Sequence, residues 1–192
     1  LGLEKADFVL HDFGGPIALD WMLRHPEKVG RVIVMNSFAW RLDDDPKRAR
    51  VARLAGGGIG RFLYRWANAS VEMLLPSVYG DKSKLTPAIH DQYRAPFRDR
   101  EKRVRVLHAL ARSLTQSSAY FDSLWERRST LAEKDALIVW GLKDSAFPNS
   151  FAARWKEYFP AACTVELAQA GHWPHEEASP EVLRAIRSFL EG

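Results

Sequence analysis

Hydrophobic and polar positions alternate between two textures along the chain. Near the start, Phe8, Val9 and Leu10 form an apolar run that stops at His11-Asp12, two glycines follow, and Pro16 opens an amphipathic segment through Ile17, Leu19, Trp21, Met22 and Leu23. This pattern predicts a strand over 6–10 behind a short polar lead (1–7), then a sharp turn and a helix. His25-Pro26 ends the helix, because proline restrains the residue before it and cannot continue the ladder. Residues 31–36 (Arg-Val-Ile-Val-Met-Asn) are a continuous run rich in β-branched side chains, as in a strand covered on both faces. Strand, helix, strand at this spacing predicts a βαβ unit with a right-handed crossover.

From Ser37 the pattern becomes helical. Asp43, Asp44, Asp45 and Pro46 place acids at a helix start, and Gly56-Gly57-Gly58 breaks the segment that follows. Helices are expected over 61–75, 86–93, 100–114 and 118–127, with aromatic side chains such as Tyr64 and Trp125 serving mainly as core. Strand texture returns at 136–140, Asn149-Ser150 are expected to cap a helix reaching Tyr158, 164–167 is a last short strand, and Ser179-Pro180 begin a closing helix to Leu190. The organisation is therefore α/β, with core pieces 1–40 and 131–192 separated by a helical insertion over 41–130.

Composition narrows this picture. The chain has 192 residues, 46% hydrophobic and 27% charged, which suits one globular domain with an insertion. No apolar run approaches the roughly 18–20 residues needed to cross a bilayer, so no membrane partner is expected. Cys163 is the single cysteine and no export signal is visible, which makes a reducing cytoplasm the expected setting. The net charge of +4 is uneven, because residues 41–130 hold 18 Lys and Arg against 10 Asp and Glu. Arg100, Lys102, Arg103 and Arg105 alternate with Asp99 and Glu101, which reads as a solvated helix face rather than a phosphate strip, so no nucleic acid is expected either.

Three polar residues stand just past the ends of expected strands: Asp12, Asp144 after Gly141, and His172 after Gly171. In open α/β sheets ligands bind outside the carboxyl ends of strands, so all three should project from one edge. A carboxylate at a tight strand–helix turn can displace a leaving group from carbon and form an ester. Hydrolysis of that ester needs a base, for which His172 is suited, oriented by Asp144. Each residue also has a plainer reading: Asp12 as a cap of the following helix, His172 as a structural histidine, Asp144 as a turn-former. No cofactor or metal is implied, since no cysteine or further histidine in the sequence completes a site with His172 and His175.

The stretches 11–16 (His-Asp-Phe-Gly-Gly-Pro), 34–40 (Val-Met-Asn-Ser-Phe-Ala-Trp), 93–97 (Tyr-Arg-Ala-Pro-Phe), 139–144 (Val-Trp-Gly-Leu-Lys-Asp) and 171–173 (Gly-His-Trp) resemble the haloalkane dehalogenase branch of the α/β-hydrolases, with epoxide hydrolases as close kin. The resemblance implies an enzyme on a truncated α/β-hydrolase parallel sheet of about four strands, with 41–130 as a helical cap. It also implies attack by Asp12 on a halogenated alkane and hydrolysis through His172 backed by Asp144. Phe13 stands where dehalogenases of this kind usually carry a tryptophan that holds the halide, leaving its backbone N–H as an oxyanion or halide donor. A second donor would come from Trp40, Trp66 or Trp125. Epoxide opening would instead use a cap tyrosine, Tyr93 or Tyr120, as acid. Such hydrolases carry several strands before the nucleophile strand, so the sequence is either a piece of a longer protein or a trimmed hydrolase. In the trimmed case, strand 6–10 becomes a bare edge and a homodimer that covers it is expected, and the rival to an enzyme is an inactive dimerising or ligand-binding remnant.

Overall fold

The computed structural model describes residues 2–192, so Leu1 of the expected lead lies outside the described residues. Four parallel strands form one sheet in the order β1 (Ala6–Asp12), β2 (Val29–Ser37), β3 (Ala136–Gly141), β4 (Cys163–Leu167). This is the parallel sheet of about four strands that the resemblance implies, on the strands that the apolar runs predict. β2 and β3 lie inside the sheet and are the most deeply buried, with all six residues of β3 covered. That is why their sequences are uninterrupted Val, Ile and Leu rather than alternating. β1 is an edge strand with Val9 exposed on it.

The chain divides into two compact units. The first comprises residues 2–40, Val78–Asp81 and Ser123–Gly192, and contains the whole sheet. Helix α1 (Gly14–Arg24) connects β1 to β2 and buries Leu19, Met22 and Leu23. Its C-terminus falls at His25, one residue before Pro26, as the sequence predicts. Ile33, Met35, Leu137, Val139 and Leu167 form an apolar face that the C-terminal helix covers with Val182, Ile186 and Phe189.

The second unit, Arg41–Ser77 with Lys82–Asp122, is entirely helical. It holds α2 (Pro46–Ala55), capped by the Asp45 carboxylate, and α3 (Gly58–Ala67), separated from α2 at the expected glycines. A π-helical turn (Ser70–Leu74) then leads into the short α4 (Leu75–Val78), where a continuous helix to residue 75 is expected from sequence. Asn68 interrupts it in the left-handed conformation, φ 48°. α5 (Pro87–Arg94) and α6 (Arg100–Gln116) follow, and α7 (Ser118–Glu126) crosses into the first unit. Tyr64 of α3 packs on Val104 and Ala111 of α6 to make this unit's own small core.

The remaining helices belong to the first unit: α8 (Asn149–Trp155), α9 (Pro174–Glu177) and α10 (Ser179–Glu191). Asn149 and Ser150 do not cap α8. The N-cap position falls on Pro148, with no side-chain cap bond.

Candidate active site

The turn after β1 is built from backbone strain and one close approach. Asp12 sits at φ 48°, a left-handed conformation that costs a non-glycine residue on the order of 1–3 kcal/mol and recurs at functional turns. α1 then starts at Gly14 with Phe13 at its N-cap, and no side chain supplies a cap bond, so the reading of Asp12 as a helix cap is set aside. Of the two glycines, only Gly15 is sterically required. A Cβ there would lie 2.1 Å from Ser37 Oγ and 2.8 Å from the Phe38 carbonyl oxygen, whereas a Cβ at Gly14 would meet nothing within 4 Å. The Ser37 hydroxyl donates to the Asp12 carbonyl at 2.6 Å and ties the turn to the end of β2.

Asp144 and His172 reach the same rim from the ends of β3 and β4. His172 Nδ1 lies 2.8 Å from Asp144 Oδ2, and its Nε2 lies 3.7 Å from Asp12 Oδ2, too far for a direct hydrogen bond but close enough for a charge pair. One imidazole therefore faces two carboxylates, one on each ring nitrogen. His172 is 4% exposed and Asp144 6%, while the Asp12 side chain keeps about a third of its surface open, as a group meeting a ligand must. Burial pushes the His172 ring down, and the carboxylates of Asp12 and Asp144 more than reverse this, leaving it raised to about 9. The imidazolium is thus the resting form at neutral pH.

Asp144 both forms a turn and orients the histidine. Its Oδ1 accepts the backbone N–H groups of Ala146 (2.7 Å) and Phe147 (3.1 Å), while Oδ2 accepts from His172 and from the side-chain amide of Asn36 at 2.8 Å. Each oxygen has two donors, so the carboxylate is held in one orientation.

Three residues that sequence reading missed hold this arrangement. Asn36 is fully buried at φ 31°, where the β1–β2 register slips so that Asp12 pairs with Ser37. Besides Asp144, its amide accepts from Gly141 N–H at 2.8 Å, which locks the end of β2 to the end of β3. Glu177 is buried and accepts four backbone N–H groups, those of Gly171, Trp173, Gly80 and Asp81, at 2.8–3.3 Å. It fixes the loop that carries His172, whose own N–H donates to the Val78 carbonyl at 2.9 Å.

His11 is the third. Its Nε2 donates to the His172 carbonyl at 2.7 Å, and its ring centroid lies 4.9 Å from both the His172 and His175 rings. The expectation that no further histidine approaches His172 and His175 is corrected here, because β1 brings His11 in from 161 positions away. Burial, then the charge of His172, holds His11 down at about 4, and burial likewise lowers His175. No group of three or more His, Cys, Asp and Glu among the described residues is arranged to hold a metal ion.

The two expected donors stand apart in character. Phe13 follows Asp12 directly and packs its ring edge-on against Phe38 at 5.3 Å. Trp40 is 1% exposed, walled by Trp125, Phe151 and Trp155 with the Arg154 guanidinium over its face, and its indole N–H is buried without an acceptor. Trp66 lies in the second unit and is exposed; Trp125 packs on Trp40 and Tyr158. Tyr93 and Tyr120, the cap tyrosines proposed from sequence, lie on α5 and α7.

Asp12, His172 and Asp144 thus meet from the ends of β1, β4 and β3, and comparison with known proteins places the chain that carries them in a family. A cis-3-alkyl-4-alkyloxetan-2-one decarboxylase of Shewanella oneidensis is 30% identical over 193 residues, covering 97% of this chain and 60% of its own length. Haloalkane dehalogenase 2 of Mycobacterium tuberculosis is 28% identical over 187 residues, covering 97% of this chain and 64% of its own. The chain therefore spans less than two thirds of the length of these relatives. Among solved structures, a loop variant of haloalkane dehalogenase DbeA from Bradyrhizobium elkanii superposes on all of this chain and 68% of its own, with a TM-score of 0.83 at 22% identity. Residues 1–179 match the family described as alpha/beta hydrolase fold, and it is to this family that the chain belongs.

Proposed function

We propose that Asp12 is a nucleophile that attacks an alkyl carbon and forms a covalent ester, and that His172, held by Asp144, activates the water that cleaves it. The observation that carries this reading is the double engagement of His172, with Asp144 at 2.8 Å on one nitrogen and Asp12 at 3.7 Å on the other. In the first step a carboxylate oxygen bonds to the carbon and the leaving group departs with the bonding electrons. Asp12 is then a neutral ester, and the charge that helped keep His172 protonated is gone. The ring then gives its proton to solvent, matching the anionic leaving group, and a neutral imidazole still held by Asp144 faces the ester carbonyl. It takes a proton from water, the hydroxide adds to the carbonyl, and collapse returns the alcohol and the free carboxylate. The Phe13 backbone N–H and the Trp40 indole N–H are the donors proposed for the developing negative charge.

A haloalkane is the leading substrate class, in line with the dehalogenases among the relatives. A lid role for the helical residues 41–130, a cytoplasmic setting and a homodimer formed along the open edge of β1 at 6–10 are parts of the same proposal. The exposure of Val9 on that edge supports the dimer, and a monomer by light scattering at micromolar concentration would overturn it.

Phe13 favours a second reading. It has no side-chain N–H for a halide, and relatives in Shewanella oneidensis and in Xanthomonas campestris are named as oxetan-2-one decarboxylases. Attack by Asp12 on the saturated ring carbon bonded to the ring oxygen would break that carbon–oxygen bond and release the oxygen as a carboxylate within the same molecule. Loss of carbon dioxide would then form the alkene and expel Asp12, with no water consumed.

Mass spectrometry of His172→Ala after exposure to a bromoalkane tests the nucleophile. An alkyl adduct on the peptide carrying Asp12, absent in Asp12→Asn, is the expected result. A folded protein that takes up no adduct from a bromoalkane, an epoxide or an oxetan-2-one would overturn the reading in favour of an inactive remnant. Turnover in oxygen-18 water separates the two substrate classes, since hydrolysis labels Asp12 and decarboxylation does not.

A further inference from the structure

The helical unit carries an exposed apolar stripe of its own on α3. On α3, Gly60 and Tyr64 point inward, Gly60 because its Cβ position is occupied by the Ala55 backbone and Tyr64 because it packs on α6. Ile59, Phe62, Leu63 and Trp66 recur at i, i+3, i+4 and i+7 on a different stripe of the same helix. Ile59, Phe62 and Trp66 are 61%, 62% and 58% exposed. A single exposed apolar residue needs no explanation, but four at helical spacing on one stripe form a patch that costs solubility unless something receives it.

Across from this stripe Glu101 of α6 pairs with Arg65, and the charge carried by the segment itself is basic. Between Asp45 and Glu72 the chain carries Lys47, Arg48, Arg50, Arg53, Arg61 and Arg65 and no carboxylate. At the C-terminal end of α3, Trp66 also lines a cavity of about 530 Å³ together with Asn68, Phe97, Arg98, Arg100 and Arg103. The acids on its wall, Glu72 and Asp91, are both taken up by Arg94 at 2.7–2.8 Å. Arg98 and Arg100 have no carboxylate partner among the described residues, and Arg100 lies 5.0 Å over the Trp66 ring. Arg103 is buried and donates to the carbonyls of Tyr64, Arg65 and Phe97, so its charge too is left without a counter-ion. Asn68, strained at φ 48°, contributes a buried side-chain oxygen with no donor.

We propose that this unit docks on an anionic phospholipid surface, with the α3 stripe entering the interface and the arginine cavity receiving a phosphate headgroup. Guanidinium forks match phosphate oxygens, and the unpartnered Asn68 oxygen can accept from a headgroup hydroxyl. An aromatic residue beside arginines at one end of an apolar helix stripe is the composition of an element that lies in an interface rather than spanning it. The expectation of no membrane partner rests on the length of apolar runs, which speaks only to spanning. An acidic protein partner is less well matched, because the stripe stands out on a helix face and needs an apolar phase to enter.

Sedimentation of the intact chain with vesicles tests this. Vesicles of roughly one part phosphatidylglycerol to three parts phosphatidylcholine should carry the protein down, and phosphatidylcholine alone should not. Each of Arg98→Ala and Arg100→Ala should lower the partition coefficient about fivefold, and high salt should do the same to the wild type. Phe62→Ser should release the protein from vesicles without altering its circular-dichroism melt, since the side chain is exposed. Equal binding to neutral vesicles would overturn the proposal, as would retention by polyglutamate in place of vesicles. Calorimetric binding of glycerol phosphate with no vesicle binding would assign the cavity to a soluble phosphoester and likewise overturn it.

Discussion

The proposed chemistry requires His172 to be protonated while Asp12 is charged and to become a base once Asp12 is esterified. Asp12→Asn imitates the ester, because it removes the charge and keeps the shape. The carboxylate lies 3.7 Å from His172 Nε2 and its side chain is 34% exposed, so the effective dielectric falls between that of a protein surface and that of water. Coulomb's law over this range gives about 1–4 kcal/mol, equivalent to about one to three pKa units. From a starting value of about 9, the histidine in Asp12→Asn is therefore expected at about 6–8. Titration of the His172 ring by NMR in the two proteins reads this directly. An unchanged titration in a folded variant would mean that Asp12 does not hold the proton on His172, and the timing argument for base catalysis would fail.

Stability should carry opposite pH limbs from two neighbouring histidines. His172 is raised to about 9 from a usual value near 6.5, so its contribution is complete below about pH 6.5 and is lost as pH rises through 9. His11 is depressed to about 4, so the unfolded chain binds its proton first and stability falls as pH drops from about 6.5 to 4. Each limb is on the order of 3 kcal/mol, thermal melts should peak near pH 6–7, and His11→Asn should reduce the acid limb to the part that the likewise lowered His175 supplies. Gly15→Ala drives a Cβ into Ser37 and the Phe38 backbone and should cost about 1–3 kcal/mol in urea unfolding, whereas Gly14→Ala, with open space at a helical position, should be neutral or stabilise by about 0.5–1 kcal/mol. Asn36→Leu removes a buried donor from Asp144 and an acceptor from Gly141, at a cost of about 1–3 kcal/mol in the same assay. A cost below about 0.5 kcal/mol in urea would show that this amide is not needed to join the two strand ends.

Strands and the start of α2 were legible because they depend on neighbours in sequence, whereas the cap expected at Asn149-Ser150 was not found. The apolar run at 31–36 can only be a covered strand, and Asp45-Pro46 supplies both a cap acceptor and a residue suited to the first helical turn. Asp12, Asp144 and His172 were legible for a related reason: parallel strands bring their carboxyl ends to one edge, so a polar residue just past each end has few other places to go. The supporting residues obey no such local rule. Asn36 looks like the last residue of a strand, and its partners are Gly141 and Asp144, more than a hundred positions away. Its one sequence signal is an amide at the end of a run buried on both faces, where an unpaired polar group would be costly and a partner must exist.

Glu177 is hidden more thoroughly, since a glutamate between His175 and Ser179 reads as an ordinary first-turn acid. Its burial follows from the loops it joins. Gly80 and Gly171 pass so closely that a Cβ on either would lie within 2.6 Å of the other's backbone nitrogen, which leaves no space for water to satisfy their N–H groups. A carboxylate reaching in from α9 accepts both, and the N–H groups of Asp81 and Trp173 as well. Position 172 is thereby fixed from three sides: by Glu177 through its flanking N–H groups, by Val78 through its own N–H, and by His11 through its carbonyl. The histidine is accordingly held by its backbone, and the ring remains available to the two carboxylates it faces.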